Sequence, residues 1–246
     1  MDEGKSCEQA GFRKGFSTMD HIHTITRLTE ASREYKRPLC LAFIDLKKTF
    51  DSIEVEAVME SLDSQRVPAQ YIMILLDLYK NFTTKITVFY NSNIIDVKRG
   101  VRQGDTISPK LFTVTVENVE RMLEWDNIGV KIDGWQLHHV RFYDNIVIIT
   151  PNISEAERML ADFDKTCGNI GLRLNLIKTM FMRNGLVSHA PFALNGTIIS
   201  ECSSYVYLGK EIIMLNDLAP ELSRRKRAAC GALKSIEDVV KRTRNI

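Results

Sequence analysis

Residues Leu39 to Ile44 form an unbroken apolar run that ends on a single carboxylate, Asp45. A strand with one wet face alternates apolar and polar residues, whereas a run without alternation is the pattern of a strand covered on both faces. The acid at its end is a costly choice, because a lone carboxylate taken out of water without a partner or a cation is strongly unfavourable. Strand-end acids also serve as solvated caps, and spacing alone leaves both readings open.

A second carboxylate has a comparable setting. His138 to Phe142 and Ile146 to Thr150 read as two short strands around Tyr143-Asp144-Asn145, a hairpin whose tight turn carries Asp144. Further strands are expected at Thr84 to Tyr90, Leu172 to Met182 and Ser203 to Ile212. The clearest helix spans Ser154 to about Cys167, with Ser154 and Glu157 as a capping box and Gly168 as its stop. Its apolar face is Ala156, Met159, Leu160, Phe163 and Cys167. Another should start at Ser108, with Pro109 at the first helical position, and run to about Trp125. Ser17 to Tyr35, Glu54 to Ser64 and Pro68 to Lys80 complete the helices, the last with a core stripe of Ile72, Leu75, Leu76 and Tyr79. Helical and strand signals alternate without a repeat, which argues for a mixed α/β (α+β) fold.

Composition narrows the class. A chain of 246 residues can bury a core without staples, and 44% hydrophobic with 26% charged residues excludes collagen, wholesale disorder and coiled coil. The five cysteines are odd in number, scattered and never spaced C-x-x-C, so neither a disulfide framework nor a zinc knuckle is indicated and a reducing compartment is expected. No apolar run approaches the roughly 20 residues of a membrane-spanning helix. The N-terminal MDEGKSCEQAGFRKG offers no stretch that reads as a signal peptide. His21, His23, His138 and His139 lack Cys or His partners at ligand spacing and read as core or solvated side chains. The net charge of +2 divides unevenly: from Glu221 onward eight Lys and Arg face three acids, and the preceding residues hold 25 bases against 28 acids. The basic end is either a phosphate-contacting surface or a solvated helix face.

If the Asp45 strand lies beside the hairpin, Asp45 and Asp144 face each other and suit Mg²⁺, which takes carboxylate oxygens and keeps water and substrate phosphates in its other positions. Phosphoryl transfer with two metals roughly 3.5 to 4 Å apart is the reaction such a site serves.

These residues carry a resemblance. Ala42-Phe-Ile-Asp45-Leu-Lys-Lys-Thr-Phe50-Asp51 resembles the first palm motif of reverse transcriptases, F-x-D-x-x-x-A-F-D in retrotransposons without long terminal repeats. Gly100-Val-Arg102-Gln103-Gly104-Asp105-Thr-Ile-Ser108-Pro109 resembles their G-x-x-Q-G-x-x-x-S-P motif, and Phe142-Tyr143-Asp144-Asn145 stands in the place of F-A-D-D. Gly171-Leu-Arg-Leu-Asn175-Leu-Ile-Lys178-Thr179 is similar to G-L-x-x-N-x-x-K-T, and Tyr207-Leu208-Gly209 to the Y-L-G primer grip. Upstream, Gln9 to Asp20 resembles the fingers segment that precedes these motifs.

The resemblance implies a right-hand polymerase palm with partial fingers and the start of a thumb, divided as 1–38 fingers, 39–212 palm with a fingers insertion at about 63–98, and 213–246 basic thumb. It implies an RNA-directed DNA polymerase that uses an RNA template, a DNA primer and dNTPs, with two Mg²⁺ ions or Mn²⁺ in their place. By position, Asp45, the Leu46 carbonyl, Asp144 and Asn145 would hold metal. Phe50 matches the bulky gate that excludes a ribose 2′-hydroxyl. Arg102, Gln103 and Gly104 would sit against the template and the incoming nucleotide, and the Tyr143 ring near the primer end. Lys178 would be either a general acid toward pyrophosphate or a surface lysine holding phosphate electrostatically.

Departures from the family pattern set a further expectation. Asn145 replaces the second Asp of F-A-D-D, so three carboxylates become two, and the loss of a charged ligand weakens or abolishes activity. Tyr143 replaces a small residue, Thr49 an alanine and Thr106 a proline. The chain starts after the earliest fingers motif and stops just inside the expected thumb, with no endonuclease, which reads as a fragment acting in nucleus or cytoplasm. The rival reading is a non-catalytic nucleic-acid-binding remnant; a third is a truncated chain too exposed to be stable.

Overall fold

In the computed structural model, described over residues 17–80, 83–88, 91–97, 99–102, 104–125, 127–132, 135–215 and 219–243, helix α1 (Thr18–Glu34) precedes strand β1 (Cys40–Ile44). Helices α2 (Thr49–Ser52), α3 (Val55–Ser64) and α4 (Ala69–Tyr79) follow, then the hairpin β2 (Thr83–Val88) and β3 (Asn91–Asp96) and helix α5 (Ser108–Arg121). A small hairpin, β4 (Val130–Ile132) and β5 (Trp135–Leu137), leads to β6 (His139–Phe142), β7 (Asn145–Thr150), α6 (Ile153–Asn169) and β8 (Met180–Arg183). Next come β9 (Ala193–Leu194), β10 (Thr197–Ile198), β11 (Ser200–Glu201), the hairpin β12 (Ser204–Tyr207) and β13 (Lys210–Ile213), and the long helix α7 (Ala219–Thr243).

The apolar run is the centre of a five-stranded sheet ordered β11-β8-β1-β7-β6, with β1 antiparallel to both neighbours. All five residues of β1 are buried. Because side chains alternate along a strand, Cys40, Ala42 and Ile44 enter one core with Phe112 of α5 and Phe163 of α6, while Leu41 and Phe43 enter a second with Ile22, Ile25 and Leu28 of α1. Each fully buried side chain of this size contributes about 1.5–3 kcal/mol, which explains why the run tolerates no polar residue until the sheet ends.

Several boundaries differ from expectation for identifiable reasons. Helix α6 is capped by Asn152, not Ser154: Asn152 Oδ1 accepts the Glu155 amide at 2.8 Å and its Nδ2 donates to Glu155 Oε1 at 2.8 Å, an N-cap at the same three-residue spacing two positions earlier, with its second bond made between side chains. Glu157 instead accepts the Ala193 amide at 2.7 Å and ties β9 to the helix. Gly168 lies within the last turn, and the stop is Gly171 at φ +81°, where the Leu172 amide returns to the Cys167 carbonyl (3.0 Å) and the Gly171 amide to Gly168 (3.3 Å), a Schellman closure. Helix α5 ends at Arg121 rather than near Trp125, which is buried beyond it. The expected strand Leu172 to Met182 is strand only from Met180, because residues 175–179 form a turn closed by the Thr179 amide on the Asn175 carbonyl at 2.8 Å. Ser203 to Ile212 is a hairpin whose two-residue turn, Leu208 and Gly209, has φ +47° and +84°, the sense that matches strand twist. The stripe of Ile72, Leu75, Leu76 and Tyr79 does pack on the core, while Tyr71, Met73, Ile74 and Leu78 on the other side of α4 are exposed.

Two glycines from different sequence motifs clamp the turn after β1. A Cβ on Gly100 (φ +92°) would lie 2.6 Å from the Phe50 carbonyl oxygen, and one on Gly171 would lie 2.6 Å from that of Ser52. The Gly171→Ala chain is therefore expected to lose about 3 kcal/mol, from positive-φ strain and backbone collision, lowering the thermal midpoint by roughly 10 °C. Gly168→Ala, in open space within the helix, should be neutral or stabilising by up to about 1 kcal/mol. Thermal unfolding followed by circular dichroism compares the two directly.

Candidate active site

The β1–β7 register ends at Ile44 opposite Ile146, which brings Asp45 and Asn145, each one step further, to the same end of the sheet. Strands β6 and β7 close at Phe142 opposite Asn145 across a two-residue turn, Tyr143 and Asp144. The two acids are electrically coupled: burial raises the Asp144 carboxyl above the usual carboxylate range and the negative charge of Asp45 adds to the rise. Asp45 is anchored by the turn at 175–179. Its carbonyl accepts the Asn175 amide at 2.8 Å, its Oδ2 accepts Asn175 Nδ2 at 3.0 Å, and its own amide donates to Thr179 Oγ1 at 3.4 Å. The Lys178 ammonium, largely exposed, lies 3.9 Å from Asp45 Oδ2. On the turn, Asn145 Nδ2 donates to Asp144 Oδ1 at 3.0 Å. Among the described residues no three His, Cys, Asp or Glu side chains gather as a metal cluster.

Leu46 is buried and bridges Leu174, with the Asn175 amide on the Asp45 carbonyl and the Lys47 amide on the Arg173 carbonyl (2.8 Å) on either side. The Leu46 carbonyl takes part in neither bond. Phe50 is half-buried on α2, with its carbonyl accepting the Val101 amide at 2.7 Å. The Tyr143 ring is not extended from the turn but packs against Phe50 and Phe112, at 5.2 and 4.8 Å between centroids. Tyr143 has φ +64°, at the turn position that favours glycine, and an aromatic residue held there stores about 1–3 kcal/mol of strain. Asp51 is exposed, and its amide donates to the Lys48 carbonyl at 2.9 Å within its own turn.

Arg102 turns toward α4, donating to the Leu78 carbonyl at 2.7 Å and lying over the Tyr79 ring at 5.7 Å. Gly104 is exposed with open space at its α-carbon. Gln103 and the segment 9–16 lie outside the described residues. Tyr207 is buried against Phe43, at 6.0 Å between ring centroids, and the Gly209 carbonyl accepts a 2.5 Å bond from Arg224 of α7. Within the basic run of α7, Arg224 and Arg225 are both paired with Glu221, at 2.8 and 2.5 Å.

Sequence patterns had not pointed to a buried ionic group beside the turn. Arg141, on β6, is fully buried, and its Nε meets Glu120 Oε1 of α5 at 2.5 Å; His139 Nε2 meets the same oxygen at 3.2 Å. Burial alone would raise the Glu120 carboxyl, but the charges of Arg141 and His139 and their hydrogen bonds outweigh it and hold it at about 2. The available signal was the spacing of His139 and Arg141, two apart in an otherwise apolar strand and hence on one face. Asn175 was visible as a motif residue, but its double hold on Asp45 was not.

The described helices include none long and apolar enough to cross a membrane. The family model for reverse transcriptase (RNA-dependent DNA polymerase) matches residues 5–212. A transposon-derived protein of Caenorhabditis elegans is 34% identical over 107 residues, 42% of this chain and 38% of that protein. The RNA-directed DNA polymerase from mobile element jockey of Drosophila melanogaster is 24% identical over 210 residues, 82% of this chain and 22% of that protein. The chain thus spans well under half the length of these relatives. Among solved structures, apo telomerase from Candida tropicalis truncated from its C-terminal domain superposes with a TM-score of 0.58 at 15% identity, over 85% of this chain and 40% of the other, which shows a right-hand polymerase fold. With the family's motifs in order along the sheet and turns described above, the chain belongs to the reverse transcriptase family, of the kind carried by non-LTR retrotransposons.

Proposed function

We propose that this chain is the RNA-directed DNA polymerase domain of a retroelement, binding an RNA template, a DNA primer and dNTPs, with its chemistry weakened or lost through Asn145. The observation that carries the reading is the meeting of Asp45 and Asp144 at one end of the sheet with an amide in the third acidic position. Residues 1–38 and about 63–98 serve as fingers, 39–212 as palm and 213–246 as the start of a thumb.

The donors fit a hard divalent cation: Asp45 and Asp144 carboxylates, the Leu46 carbonyl and the Asn145 amide oxygen are all oxygen ligands, and burial together with the charge of Asp45 disfavours the ionised Asp144 unless a cation offsets it. Mg²⁺ or Mn²⁺ bound there would activate the primer 3′-hydroxyl and offset charge on the transferring phosphoryl group. Asn175 keeps Asp45 oriented, Lys178 stands at the exposed side of Asp45 toward a leaving pyrophosphate, and Phe50 walls the sugar. By the family resemblance Arg102, Gly104 and Tyr143 are assigned to the template and nucleotide side, as is Gln103, which lies outside the described residues. An amide oxygen at position 145 ligates without charge, so the site enters the reaction with two negative charges in place of three.

A second reading, a binding module without chemistry, is favoured by the Asn145 amide, whose Nδ2 donates to Asp144, and by the exposed Lys226, Arg227 and Lys234 of α7. Primer extension on a homopolymer RNA separates the two. Weak incorporation that disappears in Asp45→Ala is expected; binding with a steep salt dependence but no incorporation supports the module. Robust extension by the unmodified chain, abolished by Asp45→Ala, refutes the loss of activity.

A further inference from the structure

We propose that Tyr143 is a positioning residue that fixes the ring of Phe50 and thereby sets how strictly the site separates deoxyribose from ribose nucleotides. This rests on reading Phe50 as the sugar gate.

The main chain of Phe50 is already pinned, by the Val101 amide on its carbonyl and by Gly100 packed against it. What remains free is the ring. Phe112, fully buried on α5, backs it at 5.7 Å between centroids, tilted by 32°. Tyr143 closes the triangle, 5.2 Å from Phe50 and 4.8 Å from Phe112, all within the range at which aromatic rings attract and orient one another. A small residue at 143 would remove one of the two aromatic rings described against Phe50, leaving that of Phe112, so that the gate ring could yield to one additional hydroxyl. Tyrosine supplies a second wall, and it is retained at a backbone angle that favours glycine. Because Asp144 follows directly, the same turn holds a reacting-site carboxylate and the brace of the gate.

The test uses the full chain carrying 4-fluorophenylalanine at position 50, unmodified and as Tyr143→Ala, Tyr143→Gly and Tyr143→Phe. Glycine relieves the positive φ, so a folding defect in the alanine variant does not decide the outcome. The ¹⁹F resonance is expected to shift and broaden in the alanine and glycine variants and to stay in place in Tyr143→Phe. A resonance unchanged in all variants overturns the bracing. In parallel, stabilisation of the protein–template–primer complex by dNTP and by rNTP is measured with Ca²⁺, so that no turnover is needed. The dNTP preference should fall about tenfold in the alanine and glycine variants and persist in Tyr143→Phe. A fluorine shift with an unchanged preference overturns the selective role. If no variant, including the unmodified chain, retains any nucleotide while the fluorine shift is intact, the polymerase reading fails and the selective role with it.

Discussion

Asn145→Asp is expected to raise the rate of single-nucleotide incorporation on an RNA template by about 100-fold or more, since restoring one charged ligand is worth several kcal/mol in the transition state and each 1.36 kcal/mol is tenfold. The substitution changes one atom group and no volume. The position is the first residue of β7, opposite Phe142 across the Tyr143-Asp144 turn and one step from the Ile44–Ile146 pair, so the new carboxylate joins the two acids without moving the backbone. In the absence of divalent cation the same change should raise the Asp144 carboxyl further, because it adds a third negative charge to a pair that already repels. The gain should therefore grow with Mg²⁺ concentration and with pH from the acid side. Equal rates for the two chains would mean that charge at position 145 is not limiting.

Glu120→Ala should be the most damaging single change to stability. It would leave the Arg141 guanidinium fully buried with its Nη1 and Nη2 already lacking hydrogen-bond partners among the described residues. Removing one member of a buried ion pair costs about 3–5 kcal/mol, a fall of roughly 10 °C in the thermal midpoint for a chain of this size. The paired replacement Glu120→Leu with Arg141→Met should recover most of the loss, because an apolar pair needs no counter-charge. Acid should reproduce the single mutant. Glu120 sits at about 2 in the folded chain against an ordinary 4.5, so its contribution is complete above about pH 4.5 and is lost as pH falls toward 2. Urea unfolding between pH 7 and pH 3 reads both effects, and an unmodified chain equally stable across that range would contradict them.

The both-sided burial of β1 was legible because unbroken apolar sequence has only one inexpensive place to go, and the hairpin turn because Asp-Asn between apolar strands has few alternatives. Asp45 and Asp144 followed from those two elements. Less was legible wherever the deciding partner is distant in sequence. Nothing local distinguishes the Asn152–Glu155 cap from Ser154–Glu157, since both offer a polar cap three residues before a glutamate; the Ala193 amide takes Glu157 out of contention. Gly168 and Gly171 compete in the same way, and the close approach of Ser52 selects the second. The family motif assigned the Tyr143 ring to the primer end but gave no hint of its packing partners, the half-buried Phe50 and the buried Phe112, which lie 93 and 31 residues away in sequence. The Glu120–Arg141 pair joins residues 21 apart on different elements, and no sequence period reports such a contact.

Asp45 and Asp144 are proposed to form one cation site that is a single negative charge short. Titration with Mn²⁺, counted by the electron paramagnetic resonance of the free ion, measures this without any need for turnover. The unmodified chain should bind Mn²⁺ weakly, Asp45→Ala should lose that binding, and Asn145→Asp should bind at least about tenfold more tightly, as an added carboxylate in an oxygen-ligand site requires. Identical Mn²⁺ binding by all three chains would contradict it.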